Sequence, residues 1–139
     1  MAAATLYTLC GLPGAGKTVL ARQLAAERRA AHLDSDAWLM AIGADPHDAS
    51  LRERFETMQW QHALSLLSIG TSVITEDAGW RRARREQRLS DAHGVGARVE
   101  LVVFEVPFDV RWERVRRRNG EPAAVPISRA QLLGFEEHW

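Results

Sequence analysis

Eight consecutive residues, Gly11-Leu12-Pro13-Gly14-Ala15-Gly16-Lys17-Thr18, carry the clearest chemistry in the chain. Their spacing is glycine, four variable residues, glycine, lysine and threonine, which is the P-loop or Walker A pattern. Glycines let the backbone curl until successive N–H groups face an anion, and a helix opening at Lys17 adds its positive N-terminal end. In such a cradle Lys17 reaches the β- and γ-phosphates of a nucleoside triphosphate and Thr18 holds magnesium. The cofactors this implies are ATP and Mg2+. Of the 18 basic residues, Lys17 is the one lysine and the other 17 are arginines. Base composition of a gene accounts for such a bias. Yet the one lysine stands where a compact ammonium fits under a phosphate and a planar guanidinium does not.

A second group of acids follows. Asp34-Ser35-Asp36 closes the short β-prone run Ala31-His32-Leu33. The carboxyl ends of strands are where open α/β sheets bind ligands. Transfer of a phosphoryl group to an alcohol gains from a carboxylate that orients the hydroxyl and takes its proton. Asp36 is assigned that role and Asp34 the metal side; the competing reading is that one of them caps a short helix over 36–42. A second acidic pair, Glu76-Asp77, ends Ser72-Val73-Ile74-Thr75, an apolar run finishing in acid, with Glu76 ranked below Asp77.

These residues need a frame, and the sequence supplies one. Thr5 to Cys10, Ala31 to Leu33, Ser72 to Thr75 and Val99 to Phe104 read as strands. Helical spacing marks 17–29, 36–42, 50–68, 80–93, 109–118 and 128–139. Ser50 with Glu53 reads as a capping box for the long helix, whose residues Phe55, Met58, Ala63, Leu66 and Leu67 suit a buried face. Strands separated by helices pair in parallel through right-handed crossovers. The expected fold is a three-layer α/β/α P-loop NTPase sandwich around a parallel sheet of four to five strands, in a single domain spanning residues 1–139.

Together the P-loop, Leu33-Asp34-Ser35-Asp36 and Val103-Phe104-Glu105-Val106-Pro107 resemble the small P-loop kinases grouped with AAA family ATPases. That group is similar to the kinase domain of phage-type polynucleotide kinases, and to chloramphenicol phosphotransferases, zeta toxins and shikimate kinases. The resemblance implies Asp36 as the hydroxyl-activating acid, with Asp34 serving magnesium as in the Asp-x-Asp of shikimate kinases. It also places Asp77 on the acceptor side. Aligned on Val106-Pro107, Arg118 matches the arginine of a mobile lid, here residues 119–126, with Arg114 one turn earlier on the same face. Trp38 and Trp80 border the expected acceptor pocket. Polynucleotide kinases carry an arginine three residues after the aspartate, where this chain has Leu39. The expected acceptor is therefore a small hydroxyl-bearing molecule. A 5′-hydroxyl polynucleotide is the alternative, favoured by the Val125-Pro126-Ile127 segment shared with that family and by the basic run Arg81, Arg82, Arg84, Arg85 and Arg88. That run also reads as an ordinary exposed helix face. A further alternative is an ATP-hydrolysing switch with no acceptor.

Bulk properties agree with a globular enzyme. Acids and bases balance at 18 each across 139 residues, so no net field draws the chain to nucleic acid or membrane. A single cysteine, Cys10, excludes an internal disulfide and fits a reducing compartment. No apolar stretch approaches the roughly 20 residues of a membrane span, and no signal peptide is recognisable. The expected location is the cytoplasm. The histidines are scattered and no zinc site is assigned. Phe135 to Trp139 reads as mid-helix, as if the chain were trimmed there.

Overall fold

A computed structural model describes residues 3–77, 81–122 and 124–137. Four strands, β1 (Thr5–Cys10), β2 (Ala31–Leu33), β3 (Val73–Asp77) and β4 (Arg98–Val103), form one parallel sheet in the order β2-β3-β1-β4. The helices are α1 (Lys17–Arg28), α2 (Ser35–Ala41), α3 (Ala49–Ser68), α4 (Arg82–Gly94), α5 (Phe108–Arg118) and α6 (Arg129–Glu136). The expected three-layer α/β architecture is what the chain adopts, with four strands described where four to five were expected.

Alternation along the central strand explains the layers. Tyr7 and Leu9 point to one face, where Ile74, Ala21, Leu20 and Leu24 join them, so α1 covers that side. Leu6 points to the other, into a core with Leu33, Val73, Trp60, Ala63 and Leu67, where α3 packs and Ala92 of α4 adds to it. A separate apolar cluster of Val115, Ile127 and Leu132 ties α5 to α6.

Three local expectations need correction. α2 starts one residue early, and the capping acid is Asp34, whose carboxylate accepts from Ala37 N at 3.1 Å. α3 is capped by Asp48, which accepts from Leu51 N at 3.0 Å, and not by Ser50 with Glu53. Met58 is 64% exposed, and the buried face of α3 runs instead through Gln59, Trp60, Ala63 and Leu67. Successive helical residues stand about 100° apart, so Met58 lies about 140° round the axis from Ala63, while Gln59, Trp60 and Leu67 fall within about 60° of it. No helix among the described residues is long and apolar enough to cross a membrane.

Candidate active site

The cradle lies where β1 gives way to α1 in the middle of the sheet. Gly14 and Gly16 adopt left-handed φ values of 83° and 102°, a region that L side chains avoid. At Gly14 space forbids a side chain as well, since a Cβ would lie 2.6 Å from the Arg111 carbonyl oxygen of α5. Leu12 and Ala15 are buried, and Ala15 N closes the turn on Leu12 O at 3.2 Å. Lys17 donates its ammonium across the loop to the carbonyl of Gly11.

Next to this loop the structure gathers a cluster of titratable side chains. Thr18 Oγ1 donates to Glu76 Oε1 at 2.6 Å, and His32 Nε2 lies 2.6 Å from the other oxygen, Oε2. Strand register brings them together. Leu33 pairs with Thr75 across β2 and β3, so Asp34 falls beside Glu76, and His32 shares Asp34's face. Burial alone acts to raise the Glu76 carboxyl. Hydrogen bonds from His32 and Thr18, with the positive charges of His32 and Lys17, outweigh it and hold Glu76 below the usual carboxylate range. Asp34 moves the opposite way. Burial pushes it up, reinforced by the charges of Glu76 and Asp36, against the helix-capping hydrogen bond from Ala37 N.

Asp36 occupies the first turn of α2 and is held by Arg52 of α3, with Arg52 Nη1 at 2.8 Å from Oδ1. Its carboxylate is 56% exposed. Trp38, partly exposed on the same helix, meets Phe55 edge-on with ring centroids 6.0 Å apart. Leu39 is fully buried in the core. Asp77 is the last residue of β3, paired with Cys10, and only its backbone is described. Trp80 lies outside the described residues.

α5 supplies the cationic side of the loop. Arg114 Nη1 donates to Gly14 O at 3.1 Å, so this arginine rests on the cradle itself. Arg118 stands one turn further on, at the last position of α5. Beyond it Asn119 clamps Ile127 in both directions, Nδ2 to Ile127 O at 2.8 Å and Ile127 N to Oδ1 at 2.9 Å, which fixes the two ends of the expected lid. Arg111, which sequence reading grouped with the others, is only 2% exposed. It donates Nε to Val106 O at 3.0 Å and pairs with Glu136 of α6, so its role is architectural.

A polar pocket adjoins Glu76 between β2, β3, α3 and α4, lined among others by Ser35, Glu56, Gln59, Trp60 and Arg88. Ser35 Oγ donates to Gln59 Oε1 at 2.6 Å, while the buried Gln59 Nε2 has no hydrogen-bond partner among the described residues. The basic run on α4 is partly neutralised: Arg82 pairs with Glu86, Arg84 with Glu56, and Arg88 lies 4.8 Å over the Trp60 ring.

Sequence reasoning missed His32 and Gln59 and ranked Glu76 low. Their partners are more than twenty positions distant, at separations of 44 and 24 for the His32–Glu76 and Ser35–Gln59 contacts, so spacing carried no signal. A polar residue in the middle of the short apolar strand Ala31-His32-Leu33, just ahead of the acids, was the one clue available.

A family model described as an AAA domain matches residues 6–138. No match emerges among curated proteins. Among solved structures the chain is similar to a candidate kinase from Chloroflexus aurantiacus, with 25% identity over 97% of this chain and 76% of that one and a TM-score of 0.75. A chain of the Pnkp1/Rnl/Hen1 RNA repair complex superposes with a TM-score of 0.80 at 20% identity, covering all 100% of this chain and 47% of that one. The shikimate kinase of Acinetobacter baumannii, solved with shikimate, gives 0.63 at 21% identity over 96% of this chain and 74% of that one. The latter two likenesses are likenesses of fold.

Proposed function

Because the chain belongs to the AAA domain family and has the fold of the P-loop kinases, we propose that it is an ATP-dependent phosphotransferase moving the γ-phosphate onto a hydroxyl of a small molecule. The observation that carries this reading is the 2.6 Å hydrogen bond from Thr18 of the cradle to Glu76 at the end of β3. It joins a phosphate-binding loop to an ionised carboxylate at the strand ends, as a magnesium-assisted transfer requires.

ATP with magnesium fits the residues present. Inward-curling glycines with left-handed φ leave room for phosphate oxygens, and Thr18 and the neighbouring carboxylates offer the hard oxygen ligands magnesium prefers. When bound, that pair supplies the phosphoryl group and neutralises part of its charge. Lys17, which bonds the Gly11 carbonyl, would hold the terminal phosphates, and Glu76 and Asp34 would stand on the metal side. Arg114 and Arg118 offset negative charge building on the transferred group. Asp36 orients the acceptor hydroxyl and takes its proton. Arg52 fixes that carboxylate in place without burying it.

A small-molecule acceptor is supported by Leu39, which stands where polynucleotide kinases carry an arginine; the recess beside Glu76, onto which the buried Gln59 amide opens, has room for about one water. Leu39 belongs to the core and offers no cation to a nucleic acid phosphate.

The test is a phosphate-transfer screen with labelled ATP over sugars, nucleosides, aminoglycosides and short oligonucleotides, repeated with Asp36→Asn. Transfer to one small acceptor is expected, falling by roughly 10²- to 10⁴-fold in the variant while ATP affinity holds. Hydrolysis with no acceptor at all would make the protein a nucleotide switch. Collapse of ATP affinity in the variant would exchange the roles of Asp34 and Asp36.

A further inference from the structure

His32, Asp34 and Glu76 each present one ligand atom, and these atoms lie within 4.8 Å of one another. The backbone dictates the arrangement, since position 32 of β2 and position 34, extended just past its end, share a face and position 76 lies beside them on β3. His32 and Glu76 are only 16% and 14% exposed. Two carboxylates and an imidazole thus meet in a half-buried recess at the mouth of the P-loop. Like-charged acids so placed repel one another unless a cation or proton lies between them.

The two carboxylates suit magnesium, but the imidazole beside them does not. Magnesium takes oxygen ligands and sheds its waters reluctantly, whereas an imidazole nitrogen beside carboxylates suits first-row transition ions. We infer that His32, Asp34 and Glu76 form a site for a divalent transition cation, with Mn2+ as its probe, that fills before nucleotide arrives. Neighbouring ligands on an ion with bonds near 2.1 Å stand about 3 Å apart. The His32–Glu76 contact, 2.6 Å as a hydrogen bond, opens by a few tenths of an ångström to become one edge of that coordination shell. The ring nitrogen releases its proton to solvent as the ion enters. Glu76 keeps its other oxygen on Thr18, so the ion sits next to where the phosphates bind. The inference rests on the phosphotransferase reading for what the ion does there, and not for whether it binds.

The experiment titrates the nucleotide-free chain with Mn2+ and follows the free-ion electron paramagnetic resonance signal. One site per chain is expected, from which excess Mg2+ displaces Mn2+ poorly. His32→Asn keeps a polar group facing Glu76 but removes the ring nitrogen. It should weaken Mn2+ by at least about tenfold, since losing a ligand costs no less than losing the group that orients one. A melting curve checks that the variant folds. Should it not, the wild-type protein still decides: substoichiometric Mn2+ should broaden the ring proton signals of His32 first, at lower Mn2+ than those of His47, His62 and His93. No Mn2+ bound without nucleotide, equal displacement by Mg2+, equal affinity in the variant, or earlier broadening at another histidine would each overturn the proposal. The acceptor screen is read separately, so either conclusion can fail while the other stands.

Discussion

At the cluster beside the P-loop, two carboxylates a few ångströms apart titrate in opposite senses, and that contrast is measurable. Asp34 is raised above its ordinary 3.8 by burial, with Glu76 and Asp36 adding to the effect. The folded protein therefore holds this proton more tightly than the unfolded chain does. Its contribution to stability is full below the unfolded value and is lost as pH rises through the folded one. Asp34→Asn keeps a good N-cap and removes the ionisation. In metal-free buffer the variant should melt above wild type at neutral pH, with the gap closing below about pH 4. Glu76 lies below its ordinary 4.5 despite burial, because His32 and Thr18 bond to it. Its stabilisation is present above the unfolded value and disappears as pH falls through the lowered one. Glu76→Gln should therefore melt below wild type at neutral pH. Thermal denaturation of both variants from about pH 3 to 7 checks this; shifts of the same sign at neutral pH contradict it.

Elements are where local sequence signals met their limits. The P-loop was fully legible because cradle, helix start and key side chains lie within eight contiguous residues. Strand ends were legible too, as apolar runs finishing in acid. The start of α3 was not. Ser50 and Glu53 have the spacing of a capping box, yet Asp48 and the turn Asp48 N to Asp45 O at 3.2 Å begin the helix earlier. Asp48→Ala should cost about 1 kcal/mol, and Ser50→Ala should stay within about 0.5 kcal/mol of wild type. Denaturant unfolding of the two variants makes the comparison, and a larger loss from Ser50 would restore the capping box. Arg111 shows a different limit. One of five arginines on α5, it is buried against Glu136 of α6, whereas Arg114, one turn along, bonds the P-loop carbonyl of Gly14, and only the packing of those elements tells the two apart. Likewise His32 became part of the site only once the register of β2 against β3 set it beside Glu76.

Across the whole molecule charge is balanced, and pairing within α4 and onto α3 spends part of the basic run. Arg82, Arg84 and Arg88 each face a glutamate or a tryptophan of the same protein. A short single-stranded oligonucleotide should therefore bind weakly and with a shallow salt dependence, unchanged when Arg81, Arg82 and Arg85 are all replaced by glutamine. Fluorescence anisotropy at two salt concentrations reads this directly. A steep slope abolished by the triple variant would move the acceptor to a polynucleotide. Cys10 offers a different view of the same molecule. Its thiol is 2% exposed, in the central strand, with β3 on one side, β4 on the other and the phosphate loop beginning at the next residue. The chain thus carries a clock at its centre. A thiol-specific dye reaches Cys10 only when the middle of the sheet comes apart, so the labelling half-time counts those openings. Saturating ATP should lengthen it in step with loop occupancy; a half-time indifferent to ATP would mean that the loop lets go of its ligand before the sheet opens.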